Sequence, residues 1–80
     1  MLLSDSTTFN ADNVTGVDFN AAKPGYVPIG VIQQQFNFGS ANLVITNYMV
    51  DGNYVRTGVM NRSSNPITTV LRIVVLHKAA

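Results

Sequence analysis

The chain contains no cysteine, which excludes disulfide staples and thiolate metal sites. Its single histidine cannot hold a metal alone. Glutamate is absent too, and only 11% of the residues are charged, against roughly 25% in an average domain. The net charge of +1 comes from Lys23, Arg56, Arg62, Arg72 and Lys78, scattered without a cluster. That offers no electrostatic footprint for nucleic acid or for an anionic membrane, and neither is expected as a partner. No apolar run approaches the roughly 20 residues of a membrane-spanning helix, so no membrane insertion is expected. Met1-Leu2-Leu3 meets Asp5 almost at once and is too short for a signal peptide, so synthesis in a cytoplasm without export is expected.

What is present is apolar and amide-rich. Hydrophobic residues make up 46% of the chain, mean hydropathy is +0.19, and much of the rest is Asn, Thr, Ser and Gln. Eighty residues allow one domain, and a chain of this size buries only about 60–65% of its unfolded surface. Small domains compensate with disulfides, metals or association. With the first two removed, association with further copies is the expected route.

The stretch from Ile67 to His77 dominates the chain. By parity one side carries Ile67, Thr69, Leu71, Ile73, Val75 and His77, and the other Thr68, Val70, Arg72, Val74, Leu76 and Lys78. A half-buried strand alternates apolar with polar. This one is apolar on both sides except at Arg72 and its ends, the pattern of a strand covered on both faces. One side is expected in the core and the other against another chain.

The remaining segments also read as β. Residues 1–24 form a polar lead-in, expected as an N-terminal arm or docking segment with short β patches at Thr7–Phe9 and Val14–Phe19, where Val17 and Phe19 share a face; a disordered leader is the alternative. Lys23-Pro24-Gly25 is a turn. Pro28 cannot donate to a ladder, so the next strand starts at an edge or bulge, and Gly30 supports a bulge. Ile32, Gln34, Phe36 and Phe38 are expected on one face of it, with Gln33, Gln35 and Asn37 on the other. Asp51-Gly52 between two β-rich runs is a strong hairpin signal, since glycine supplies a positive φ. Asn61 to Pro66 is a polar loop. No helical periodicity persists long enough for a stable helix. The fold class expected is all-β and antiparallel, with residues 25–80 as its module.

Two segments carry a family resemblance. Gly25-Tyr26-Val27-Pro28-Ile29-Gly30-Val31-Ile32 resembles the "GY-x-PIG-hydrophobic" opening of small β modules in tailed-bacteriophage structural proteins, such as tail-fibre or receptor-binding tips and head fibres. Met60-Asn61-Arg62-Ser63-Ser64, followed by Val70 to Lys78, is similar to their closing polar loop and last hydrophobic strand. The resemblance covers Gly25 to Lys78, and between Gln33 and Met60 it extends only to strand character. No stalk precedes it here, which leaves a free-standing virion protein such as a capsid decoration, or a piece of a longer one. The resemblance implies a homotrimeric, jelly-roll-like β-sandwich. It further implies other virion proteins as partners, a place on the virion surface after assembly in a host cytoplasm, and no enzymatic activity.

The candidate residues follow. Val31, Ile32, Phe36, Phe38, Val70, Arg72, Val74 and Leu76 are expected at the interface between copies. Arg72 interrupts an apolar face, so an intersubunit salt bridge to an aspartate or bonds to carbonyls are expected to satisfy it; an ordinary exposed charge is the alternative. Gln33 to Gln35 fit either an amide ring on a three-fold axis or a solvated face. Tyr48, Tyr54, Arg56 and Arg62 are candidates for a patch binding host-surface saccharide, because aromatic faces stack on sugar rings and guanidinium groups bond hydroxyls; half-buried packing is the alternative for the tyrosines. A host-recognition module is thus the second reading, and a non-viral oligomeric scaffold the third. His77 lacks a base partner for catalysis and is expected to cap a strand or bond across an interface. Asp12 and Asp18, with Asn10 and Asn13, match no calcium loop. No cofactor is expected.

Overall fold

The computed structural model describes residues 1–37 and 40–80, except the side chain of Ser40. The described residues form six strands: β1 (Leu2–Phe9), β2 (Val14–Asn20), β3 (Tyr26–Phe36), β4 (Leu43–Asp51), β5 (Tyr54–Asn61) and β6 (Ile67–Ala79). A single 3-10 turn, Ser40–Asn42, precedes β4. The strands make two antiparallel three-stranded sheets, ordered β1-β6-β3 (sheet 1) and β2-β5-β4 (sheet 2). The chain changes sheet at every connection except the β4–β5 hairpin.

Both sheets feed one core. Sheet 1 contributes Phe9, Leu71, Ile73 and Val75; sheet 2 contributes Val17, Phe19, Leu43, Val55 and Val59. On β6 the odd positions from Thr69 to Val75 are buried, as the parity reading anticipated, and the even positions from Val70 to Val74 are only half-buried. Fully burying an aliphatic or phenyl side chain contributes about 1.5–3 kcal/mol, so strand alternation sets which face turns inward. Phe9 and Phe36 meet edge to face at 6.0 Å, closing the core at one end of sheet 1.

Residues 1–24, expected as an arm or docking segment, supply an outer strand to each of the chain's own sheets. β1 pairs with β6 from Leu2↔Val74 to Phe9↔Ile67, and β2 pairs with β5 from Val14↔Met60 to Asn20↔Tyr54. Phe9, Val17, Phe19 and Ala21 all lie in the core. The polar composition reflects two half-exposed edge strands, whose outward positions carry Ser4, Ser6, Thr8, Asp18 and Asn20 beside the exposed Leu2 and Val14.

On β3 Gln34 and Phe36 share a face opposite Gln33 and Gln35, as expected, but two register shifts, at Pro28/Gly30 and Val31/Gln33, set Ile32 apart from them. Each inserts a residue and reverses the parity beyond it. Val31, Gln34 and Phe36 therefore pair with the inward residues Val75, Ile73 and Leu71, while Gln33 and Gln35 pair with the outward Val74 and Arg72. Ile32, expected beside Gln34 and Phe36, is the extra residue and is 64% exposed. Val31 and Phe36, expected at an interface, instead pack against the chain's own core. Phe38 lies outside the described residues.

The hairpin turn consists of Gly52 and Asn53, since Asp51 pairs with Tyr54 as the last rung. Gly52 has φ +60°, the left-handed value that a two-residue hairpin turn demands at its first central position.

Candidate interaction surface

The outer face of sheet 1 is built on the long central strand β6. Thr68, Val70, Arg72, Val74, Leu76 and Lys78 alternate outward. β1 flanks them with Thr8, Ser6, Ser4 and Leu2, which oppose Thr68, Val70, Arg72 and Val74 in turn. β3 flanks them with Gln35 beside Arg72, Gln33 beside Val74, and Gly30 beside Leu76. Gly30 has no side chain to shield Leu76, which is 45% exposed, and Leu2 beside Val74 is 66% exposed. The result is an apolar area of Leu2, Val74 and Leu76 running into a polar band of Ser4, Arg72 and Gln35.

Arg72 donates from Nη1 to Asn37 Oδ1 at 2.7 Å. The amide N–H of Asn37 is in turn fixed on Val70 O at 2.9 Å, so the chain's own β3 end orients the guanidinium. Among the described residues Arg72 makes no ion pair. The amide row is split: Gln33 Nε2 donates to Gln35 Oε1 at 3.5 Å on the outer face, whereas Gln34 turns inward and its Oε1 is shut from solvent.

The four residues considered for saccharide do not converge. Tyr54 and Arg56 are neighbours on the outer face of sheet 2, where Arg56 lies 3.7 Å from both Asp18 and Asp51. Tyr48 opposes the buried Thr57, on the core side of edge strand β4. Its hydroxyl lies beside Gly30, 3.9 Å from where a β-carbon there would stand. Arg62 stands beyond the end of β5, its N–H bonded to Asn42 O. Six residues of strand separate Arg62 from Arg56, about 20 Å. No cavity opens among the described residues.

His77 faces the connection between β2 and β3, with Nε2 2.7 Å from Ala21 O. A carbonyl only accepts, so Nε2 carries the proton. The bond ties the end of β6 to the chain's own connection, a strand cap. Asp12 occupies the β1–β2 loop in a left-handed conformation (φ 53°), and Asp18 is engaged by Arg56.

Asn61 is the residue that sequence reasoning missed. It was placed in a solvated loop, yet it is fully buried. Its Nδ2 donates to Phe9 O and Asn65 O, both at 2.9 Å, and its Oδ1 accepts from Ser63 N and Ser63 Oγ, both at 2.9 Å. One amide thus joins the end of β1 to the β5–β6 loop with every bonding position used. The available signal was parity: Asn61 continues the inward series Val55, Thr57 and Val59.

No family model, curated protein or solved structure matches this chain.

Proposed function

We propose that this chain is a structural module of a tailed-phage virion, a small β-sandwich that acts by assembling with copies of itself, as a homotrimer, and docking on other virion proteins rather than by catalysis. The observation that carries the reading is the outer face of β6. A central strand presenting Val70, Val74 and Leu76 outward, with Leu2 and the exposed Ile32 nearby, leaves in water a surface whose composition suits an interface core. The phage assignment rests on the resemblance, whose two segments are partners in one ladder: Tyr26, Val27, Pro28 and Gly30 oppose Ala79, Lys78, His77 and Leu76. An antibody against the chain, used for gold labelling of phage particles from a lysate of the source strain, tests the assignment. Labelled particle surfaces support it, and uniformly bare particles overturn it.

A second reading is favoured by Tyr54 and Arg56, which stand side by side on an exposed sheet face and fit a host-recognition module for cell-surface saccharide. Glycan-array binding that disappears in Tyr54→Ala supports that role. Silence on arrays and on whole host cells contradicts it.

A further inference from the structure

The molecule measures 44 × 19 × 16 Å, so copies bury most surface when packed side by side along the strands. Where they meet is narrowed by the sheet edges. β3 carries Pro28 and two register shifts, and β4 is interrupted by a shift at Ile45/Asn47. Both features obstruct strand addition. The outer face of sheet 1 spans about 33 Å by 14 Å, from the usual rise and strand spacing, or about 450 Å². Each contact of that size is smaller than the roughly 800 Å² each partner contributes to a standard interface, and a ring gives every subunit two of them.

Charge selects what covers this face. Arg72 and Lys78 point outward from it, and no aspartate does. Two such faces laid together would bring like charges into contact, which argues against a face-to-face pair. The aspartates elsewhere are Asp12 in the β1–β2 loop, Asp18 and Asp51 on the outer face of sheet 2, both at Arg56, and Asp5. Asp5 sits on edge strand β1, is exposed, and makes no ion pair among the described residues. It opposes Leu71, one residue along β6 from Arg72, and so lies on the inner side of sheet 1, exposed where β1 forms the sheet's edge. A rotation about an axis parallel to the strands leaves height along the strands unchanged. About such an axis Asp5 of one copy stands within one residue rise of the next copy's Arg72 in height, about 3.4 Å, an offset that an arginine side chain can bridge. Edge and face are different, non-opposed surfaces, and such a heterologous contact can close into a small ring, whereas two opposite faces would stack without end.

Resting on the self-assembly reading above, we propose that the β1 edge of one copy packs on the outer face of sheet 1 of the next, with Asp5 paired to the neighbour's Arg72. Asn37 takes one N–H of that guanidinium and leaves others for a carboxylate. The pair fixes the register between subunits while Val74, Leu76 and the β1 flank exclude water around it.

The test is reciprocal charge reversal read by sedimentation equilibrium. Each of Asp5→Arg and Arg72→Asp is expected to raise the dissociation midpoint about tenfold or more, and the combined variant to return it within about threefold of the parent. Circular dichroism checks folding, and Asp5→Asn with Arg72→Gln replaces any variant that does not fold, with loss of binding in each single and no further loss in the double. A parent that assembles while the single variants match it overturns the pair and leaves self-assembly standing. Weakened singles with no recovery in the reciprocal double overturn it equally. A parent that stays a single chain removes both the pair and the reading beneath it.

Discussion

At the scale of single residues, the fold depends on a few side chains whose partners are backbone groups. Asn61 satisfies carbonyls of Phe9 and Asn65 and the amide of Ser63 from a fully buried position. Truncation strands the buried Phe9 carbonyl, where an unsatisfied group costs about 1–3 kcal/mol, and removes the part-buried bonds to Asn65 and Ser63 that hold the loop. Asn61→Ala is therefore expected to lose about 3 kcal/mol in urea unfolding; a loss below about 0.5 kcal/mol would show that the loop does not depend on it. Gly52 is a second such site. Its φ of +60° is strained for any side chain, though its β-carbon would meet nothing, so Gly52→Ala isolates the backbone term. A decrease of about 1 kcal/mol is expected. These residues differ in how legible they were. Glycine after Asp51 between two β runs has few uses but a turn. Asparagine before a polar loop has many, and only the inward series of β5 marks Asn61 as buried.

At the scale of elements, β6 was legible because its thirteen residues contain no glycine or proline to break the register, so one parity holds along the strand. Leu71, Ile73 and Val75 went inward, and Val70, Arg72, Val74 and Leu76 outward. On β3 the split of Gln34 and Phe36 from Gln33 and Gln35 was legible, but the place of Ile32 was not, because a bulge is a decision of the ladder. Gly30 and Pro28 announce one, but nothing in Val31-Ile32-Gln33 announces the second. That one residue leaves Ile32 outside while Val31 and Phe36 pack against the chain's own core. β1 was underestimated for a related reason: edge strands bury little and read as polar linker. The outer face of β6 yields its own prediction. Val74→Asp places a charge where the side chain is half-exposed, so the isolated fold should survive within about 1 kcal/mol by urea unfolding while assembly is lost. A folded variant that assembles like its parent would remove this face from the interface.

At the scale of the whole molecule, two three-stranded sheets sharing one core account for an elongated shape. The radius of gyration is 13.0 Å, against about 12 Å for a compact chain of this length. Elongation raises surface relative to core, and the marginal core of so short a chain is what the proposed association would offset. The all-β, antiparallel class was recoverable from turn signals and strand character, whereas the height of Asp5 beside Arg72 depends on which strands pair, which no local pattern states.

Sedimentation equilibrium of the untagged chain from about 1 to 100 µM, a range spanning typical subunit affinities, tests the central claim most directly. The account predicts a mass of about 26 kDa, three times the 8.6 kDa of one chain, falling only at the dilute end. A well-folded species of single-chain mass throughout would contradict it.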